Sequence, residues 1–307
     1  MSLKGFKQKT THFFKHAAEE PVTVVLFLCA SFSIVILSLM LFFVAREGLL
    51  AFSSYGPNFL VGQTWDTKKS IFGAFPFIYG SLMVVAGALA MAIPLGICTA
   101  IFISEVLPFS LRDPIKSIIE LLASIPSVIY GFIGLILVVP AIVYIFGVNS
   151  GRTALAASLL LTVMSVPTIV AISGETISAV PKEYKEAAFG LGATRWQTIK
   201  NVILPISKSG ILASVMLGFG RAIGETVAVV MVAGNNATVP VPFWNFLAPV
   251  YTMTSVIAVQ FPEAAVGSPE YSALFGVALL LFIITFIVNT LADSVVKGKL
   301  SIRRLRL

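Results

Sequence analysis

The middle of the chain reads Pro181-Lys182-Glu183-Tyr184-Lys185-Glu186-Ala187-Ala188-Phe189-Gly190-Leu191-Gly192-Ala193-Thr194-Arg195-Trp196-Gln197-Thr198-Ile199-Lys200-Asn201-Val202-Ile203-Leu204-Pro205. It is a polar gap between long apolar runs. Pro181 suits the first turn of a helix, where its missing N–H would have no partner anyway. Residues 182–191 are good helix formers, and Gly192 is placed to end that helix in a left-handed conformation. Thr194 can cap a second helix, in which Trp196, Ile199 and Ile203 recur at helical spacing. Pro205 is expected to end it. The segment therefore reads as a helix–turn–helix at a membrane surface. Ala187 and Ala188 let another surface approach closely, and Glu186 offers an acceptor near the turn.

The flanking sequence sets the class. Of 307 residues, 57% are hydrophobic and 11% charged, too little charge for a solvated exterior of this size. The hydrocarbon core of a bilayer is about 30 Å thick and a helix rises about 1.5 Å per residue, so apolar runs of 18 or more residues are candidate spans. Six are expected, at 22–44, 77–103, 118–146, 154–172, 211–233 and 274–291. The fold class is an all-α integral membrane protein. The apolar stretch 246–261 is short and contains Pro249, so it is expected to lie at or partly within the outer face.

Charge orients the spans. Lys and Arg are retained on the cytoplasmic side. Lys4, Lys7, Lys9 and Lys15 lie in the first tail, Arg112 and Lys116 after span two, and Lys182, Lys185, Arg195, Lys200 and Lys208 in the central gap. Lys297, Lys299, Arg303, Arg304 and Arg306 lie in the last tail. The alternate gaps hold Arg46, Lys68, Lys69 and Arg152. Both termini are therefore expected in the cytoplasm. Residues 1–21 form a basic interfacial segment, 22–296 the transmembrane domain with a cytoplasmic loop at 175–209, and 297–307 a basic tail.

The same pattern accounts for the net charge of +7 without nucleic acid. Cys29 and Cys98 fall within spans and read as small apolar fillers. His12 and His16 lack a carboxylate at metal-site spacing, so no metal is expected. No Gly-x-x-x-x-Gly-Lys-Ser/Thr loop is present, so the chain cannot cradle ATP phosphates by that route. It is not expected to be an enzyme or to bind a cofactor.

Span five carries two charges, in Gly220-Arg221-Ala222-Ile223-Gly224-Glu225-Thr226. Each costs about 2.5–3.5 kcal/mol at mid-membrane on insertion scales. Four residues apart on a helix, they are expected to meet. They read either as a joining ion pair or as a substrate site, with the planar guanidinium of Arg221 attracting an oxyanion and Glu225 holding it in place. Gly220 and Gly224 read as a small-residue packing face. On span three, Ser124, Ser127 and Tyr130 are expected on one helix face, as pore hydroxyls or helix–helix contacts.

The chain resembles the PstC-type permease family of the bacterial phosphate importer, within the MetI-like transmembrane superfamily. The resemblance rests on Phe75-Pro76-Phe77-Ile78-Tyr79-Gly80-Ser81, on Ile125-Pro126-Ser127-Val128-Ile129-Tyr130-Gly131 and on Gly220 through Thr226. It rests also on the spacing of Glu186-Ala187-Ala188, Gly192 and Leu204-Pro205, that of the EAA loop of ATP-driven importers. Only Val202 departs from that pattern, standing where Ile is typical.

The resemblance implies a six-span permease forming half of a phosphate pathway. Its partners would be a PstA-like second permease, two ATPase subunits that bind the ATP, and an extracytoplasmic phosphate-binding protein. It implies coupling through Glu186, Ala187, Ala188, Gly192, Leu204 and Pro205, and a pathway at Arg221, Glu225, Thr226, Ser127 and Tyr130. Phosphonate, sulfate or molybdate is the alternative cargo, and an ion-coupled secondary transporter the alternative mechanism.

Overall fold

The computed structural model describes residues 21–304. The basic segment before residue 21, with His12 and His16, lies outside the described residues, as do the last three residues of the tail.

The helices are α1 (Pro21–Tyr55), α2 (Asn58–Val61), α3 (Phe75–Ile101), α4 (Phe109–Ser124), α5 (Ser127–Ile133), α6 (Val139–Phe146), α7 (Ala154–Ser178), α8 (Lys182–Gly190), α9 (Arg195–Thr198), α10 (Leu204–Gly224), α11 (Val227–Val232), α12 (Met253–Gln260) and α13 (Pro269–Arg304). Among the described residues, six helical stretches are long and apolar enough to cross a membrane: Val22–Tyr55, Phe75–Val106, Ser127–Phe146, Ala154–Ser178, Arg195–Gly224 and Pro269–Leu291.

Two of these differ from expectation at prolines. The third span does not begin at residue 118. Pro126 disfavours helical angles at the residue before it, and Ile125 is extended (φ −64°, ψ 129°). The chain therefore breaks after Ser124. The preceding α4, with Arg112, Asp113, Lys116 and Glu120, buries no residue. Conversely, Pro205 does not end the loop's second helix. A π-helical turn at Ile199–Ile203 precedes it, and Pro205 falls in the first turn of α10. The wider turn absorbs the missing N–H and the ring's clash with the turn before it. One helical rod thus runs from Arg195 to Gly224.

The core is organised around α7, flanked by α3 and α10. Hydroxyls tie them: Ser158 Oγ donates to the Val84 carbonyl, Thr162 Oγ1 to the Ala88 carbonyl, and Ser173 and Ser214 share a buried hydrogen bond of 2.6 Å. Fully buried Ile169 lies between two glycines. A Cβ on Gly96 would sit 2.7 Å from Ile169 Cγ2, and one on Gly218 2.9 Å from Ile169 Cγ1. Gly96 and Gly218 are thus among the glycines that admit close packing. Gly220 and Gly224 have nothing within 4 Å of a Cβ, contrary to the expected packing face. Cys29 and Cys98 are free and exposed, so neither fills the core. On the rim, α1 packs along α13.

A second apolar cluster lies at the end of the bundle opposite α8 and α9. It contains Phe59, Phe72, Phe77, Tyr251 and Met253. A two-stranded hairpin, β1 (Trp65–Asp66) and β2 (Ile71–Phe72), pairs Trp65 with Phe72. Trp65 also packs edge-on against Phe77 and donates from Nε1 to Gln260 Oε1 at 2.8 Å. Trp65 and Tyr55 therefore serve this cluster, whereas Trp244 is exposed. The stretch 246–261 contains only the eight-residue α12, started by Thr252, whose Oγ1 accepts from the Ser255 N–H.

Candidate pathway and coupling sites

At the helix–turn–helix, two caps stand back to back. The Ala193 N–H donates to the Ala188 carbonyl (3.0 Å) and the Gly192 N–H to the Phe189 carbonyl (2.9 Å), the double bond pattern of a Schellman motif. Gly192 has φ +81°, as its position in the sequence requires. Thr194 Oγ1 then accepts from the Gln197 N–H while Gln197 Oε1 accepts from the Thr194 N–H. This reciprocal capping box fixes the start of α9. The orphan backbone groups of the turn thus have local partners.

The surface it presents is apolar at its tip. Tyr184, Phe189, Leu191 and Trp196 are exposed, Leu191 at 90%. Glu186 and Ala187 are exposed beside them, and Ala188 is half-buried. Leu204 is half-buried and Pro205 exposed at the start of α10. An exposed apolar patch of this kind suits contact with a protein or with a membrane surface.

In span five the expected contact between Arg221 and Glu225 is absent. Gly224 ends α10, and Glu225 is extended (φ −68°, ψ 130°). Glu225 Oε1 accepts from the Ala228 N–H at 3.2 Å, satisfying an open donor of α11. Its carbonyl accepts from Thr254 Oγ1 at 2.9 Å, so α12 braces the break. Thr226 Oγ1 donates back to the Gly224 carbonyl. On the facing element, a Cβ on Gly131 would lie 3.0 Å from Ala228 Cα, so α5 and α11 meet closely.

Arg221 turns to the C-terminus of α4. Its Nη2 donates to the Ala123 carbonyl (3.4 Å) and its Nη1 to Thr168 Oγ1 (3.5 Å). Tyr130 OH donates to the neighbouring Leu122 carbonyl at 2.8 Å. A helix C-terminus carries unpaired carbonyls and partial negative charge, which a guanidinium and a phenol can both satisfy. Arg221 and Tyr130 are thus brought together by α4, a separate helix and not the start of the third span. Ser127 and Tyr130 lie three residues apart on α5 as expected, but Ser124 belongs to α4 and does not share that face. Ser124 lies before the Ile125-Pro126 break and donates to the Leu121 carbonyl, while Ser127 is half-buried after it.

Sequence reasoning missed one feature of the loop. Lys185 Nζ lies 2.6 Å from Glu105 Oε1, and their side chains are only 19% and 13% exposed. Glu105 belongs to a π-helical turn, Phe102–Val106, that prolongs α3. The signal was the acid at the foot of span two, eighty residues from its partner.

Residues 92–299 match the family described as binding-protein-dependent transport system inner membrane component. The chain is 38% identical over 261 residues to the phosphate transport system permease protein PstC of Mesorhizobium japonicum, covering 79% of each chain. It is 37% identical over 257 residues to PstC of Haemophilus influenzae, covering 78% of this chain and 80% of that one. Its fold is similar to a solved bacterial ABC transporter involved in the import of alginate, with a TM-score of 0.60, 14% identity, and 94% and 99% of the two chains covered. With six spans and this match, the chain is a multi-pass membrane protein. It belongs to the family of binding-protein-dependent transport system inner membrane components.

Proposed function

We propose that the chain is the permease subunit of an ATP-driven importer of inorganic phosphate. The observation that carries this reading is the relationship to PstC proteins over four-fifths of the chain, joined to a guanidinium held within the spans. The α8–α9 end faces the cytoplasm, where lysines and arginines are retained. A separate ATPase engages the exposed faces of Glu186, Ala187 and Ala188 around the Gly192 turn. A second permease, PstA-like, completes the pathway, and a phosphate-binding protein delivers substrate at the hairpin end. ATP is bound by the ATPase subunits.

The continuous rod gives a physical route for force. Arg195 at the turn and Arg221 in the membrane lie on one helical stretch, and 26 residues at 1.5 Å each span roughly 40 Å. Displacing the turn therefore displaces Arg221 relative to the α4 terminus. Both hydrogen bonds of Arg221 are long, so an anion competes well for the guanidinium. Glu225, Thr226, Ser127 and Tyr130 border the same region of the pathway.

Co-purification tests the assembly. The wild-type chain, expressed with the candidate ATPase, is expected to retain it through the loop. Loss on Gly192→Val, with insertion intact, supports the reading. Retention of the ATPase when 182–198 is replaced by a flexible linker contradicts it.

A further inference from the structure

Helix α8 is nearly unsupported. It buries no residue, and its main neighbours are α9 and the π-helical turn Ile199–Ile203 that follow it in sequence. The second arm of the loop is different. Ile199 and Ile203 are fully packed with Ala100, Ile103, Leu107, Ile177 and Val180. Against this background Lys185 reaches the foot of span two and pairs with Glu105 at 2.6 Å. The pair ties together segments eighty residues apart, whereas the ion pair of Lys69 with Asp66 joins neighbours within one turn of chain.

We propose that the Lys185–Glu105 pair is the link by which movement of α8 reaches span two, making both residues positioning residues for coupled transport. The inference rests on the coupling reading above. Two features support it. The pair is largely shielded from water, so its attraction is less screened than at a surface. It also joins α8 to a π-helical turn, a local irregularity often found at functional sites. Ser104, in that same turn, donates to the Gly174 carbonyl of α7 at 3.2 Å, so the turn also contacts the central helix. A pull on Lys185 is therefore passed to α3 at its end, while the rod from Arg195 passes the same stroke to α10. Without the pair, α8 loses its polar tie to α3, leaving the apolar packing of Ile199 and Ile203 to link the loop to the foot of span two.

The test uses the whole transporter in proteoliposomes: permeases, ATPase and loaded phosphate-binding protein. Lys185→Met, Glu105→Gln, Lys185→Arg and the reversed pair Lys185→Glu with Glu105→Lys are compared. Phosphate uptake, ATP hydrolysis and retained ATPase are measured together. In Lys185→Met and Glu105→Gln, retained ATPase and hydrolysis are expected to stay within about twofold of wild type while ATP consumed per phosphate rises about tenfold. Lys185→Arg and the reversed pair are expected to bring that ratio back toward wild type. An unchanged ratio in both single variants overturns the proposal. So does loss of the assembled complex in the single variants: recovery by the reversed pair makes the pair a structural tie, and failure to recover shows that the two residues do not act as a pair. A wild-type chain that retains no ATPase overturns the underlying coupling reading instead, and is told apart by its failure before any substitution.

Discussion

Arg221 and Glu225 are divided by the end of a helix. Arg221 lies in α10 and turns to the Ala123 carbonyl, whereas Glu225 lies beyond Gly224 and holds the first turn of α11. They share one stretch of sequence but serve different termini. A guanidinium bound to one carbonyl and one hydroxyl, without a carboxylate partner, keeps its positive charge available to an anion.

The first prediction concerns that charge. Arg221→Lys keeps the charge but cannot span Ala123 and Thr168 with one planar group. Phosphate uptake by the assembled transporter is expected to fall roughly tenfold, the equivalent of about 1.4 kcal/mol. Reversing the two residues, Arg221→Glu with Glu225→Arg, is not expected to restore it, because the two are not partners. Wild-type uptake in the reversed variant marks them as interchangeable structural charges.

A second prediction concerns the turn. Gly192 has φ +81°, and no atom lies within 4 Å of a Cβ placed there. Its substitution is therefore a matter of backbone strain and not of space. Gly192→Val is expected to cost about 1–2 kcal/mol locally, with less ATPase retained on purification and unchanged membrane insertion. Gly190→Ala, in the preceding helix with nothing near its Cβ, serves as the control and is expected to retain the ATPase.

The third prediction addresses packing. Gly96→Ala and Gly218→Ala each push a methyl group into Ile169. Each is expected to destabilise the protein by about 1–3 kcal/mol, the usual cost of overpacking. Thermal inactivation in detergent reads this out. Ile169→Val removes Cδ1, which would lie 3.0 Å from a Cβ on Gly218, and is expected to recover part of the loss in Gly218→Ala but not in Gly96→Ala. No recovery, with both variants as stable as wild type, contradicts the close three-helix contact.

A fourth prediction sets sidedness. Cysteine placed at Ser268 is expected to react with an impermeant reagent added outside cells, and cysteine at Lys182 only after the membrane is opened. The opposite pattern inverts the orientation.

Much of this was legible in the sequence because local chemistry decided it. Gly192 needed a left-handed backbone and Thr194 a capped helix, and both are properties of a few adjacent residues. Hydrophobic length likewise located the six spans. The breaks were harder. Pro126 and Pro205 look alike in sequence, yet one separates two helices and the other sits in a rod. The difference lies in the π-helical turn before Pro205, which depends on packing of Ile199 and Ile203. An Arg221–Glu225 contact requires an unbroken helix, and the helix is broken between them. That break is braced by Thr254, which is distant in sequence. Lys185 and Glu105 meet only through the tertiary fold, so helical spacing carried no sign of them.

The central claim is ATP-driven movement of phosphate through a pathway that includes this chain. The most direct measurement is accumulation of labelled phosphate in proteoliposomes containing both permeases and the ATPase, with phosphate-binding protein supplied on the hairpin side. The account predicts accumulation that requires ATP hydrolysis, is insensitive to a protonophore, and is not displaced by excess sulfate or molybdate. Accumulation driven by an ion gradient without ATP, or transport of sulfate or molybdate in place of phosphate, would contradict it.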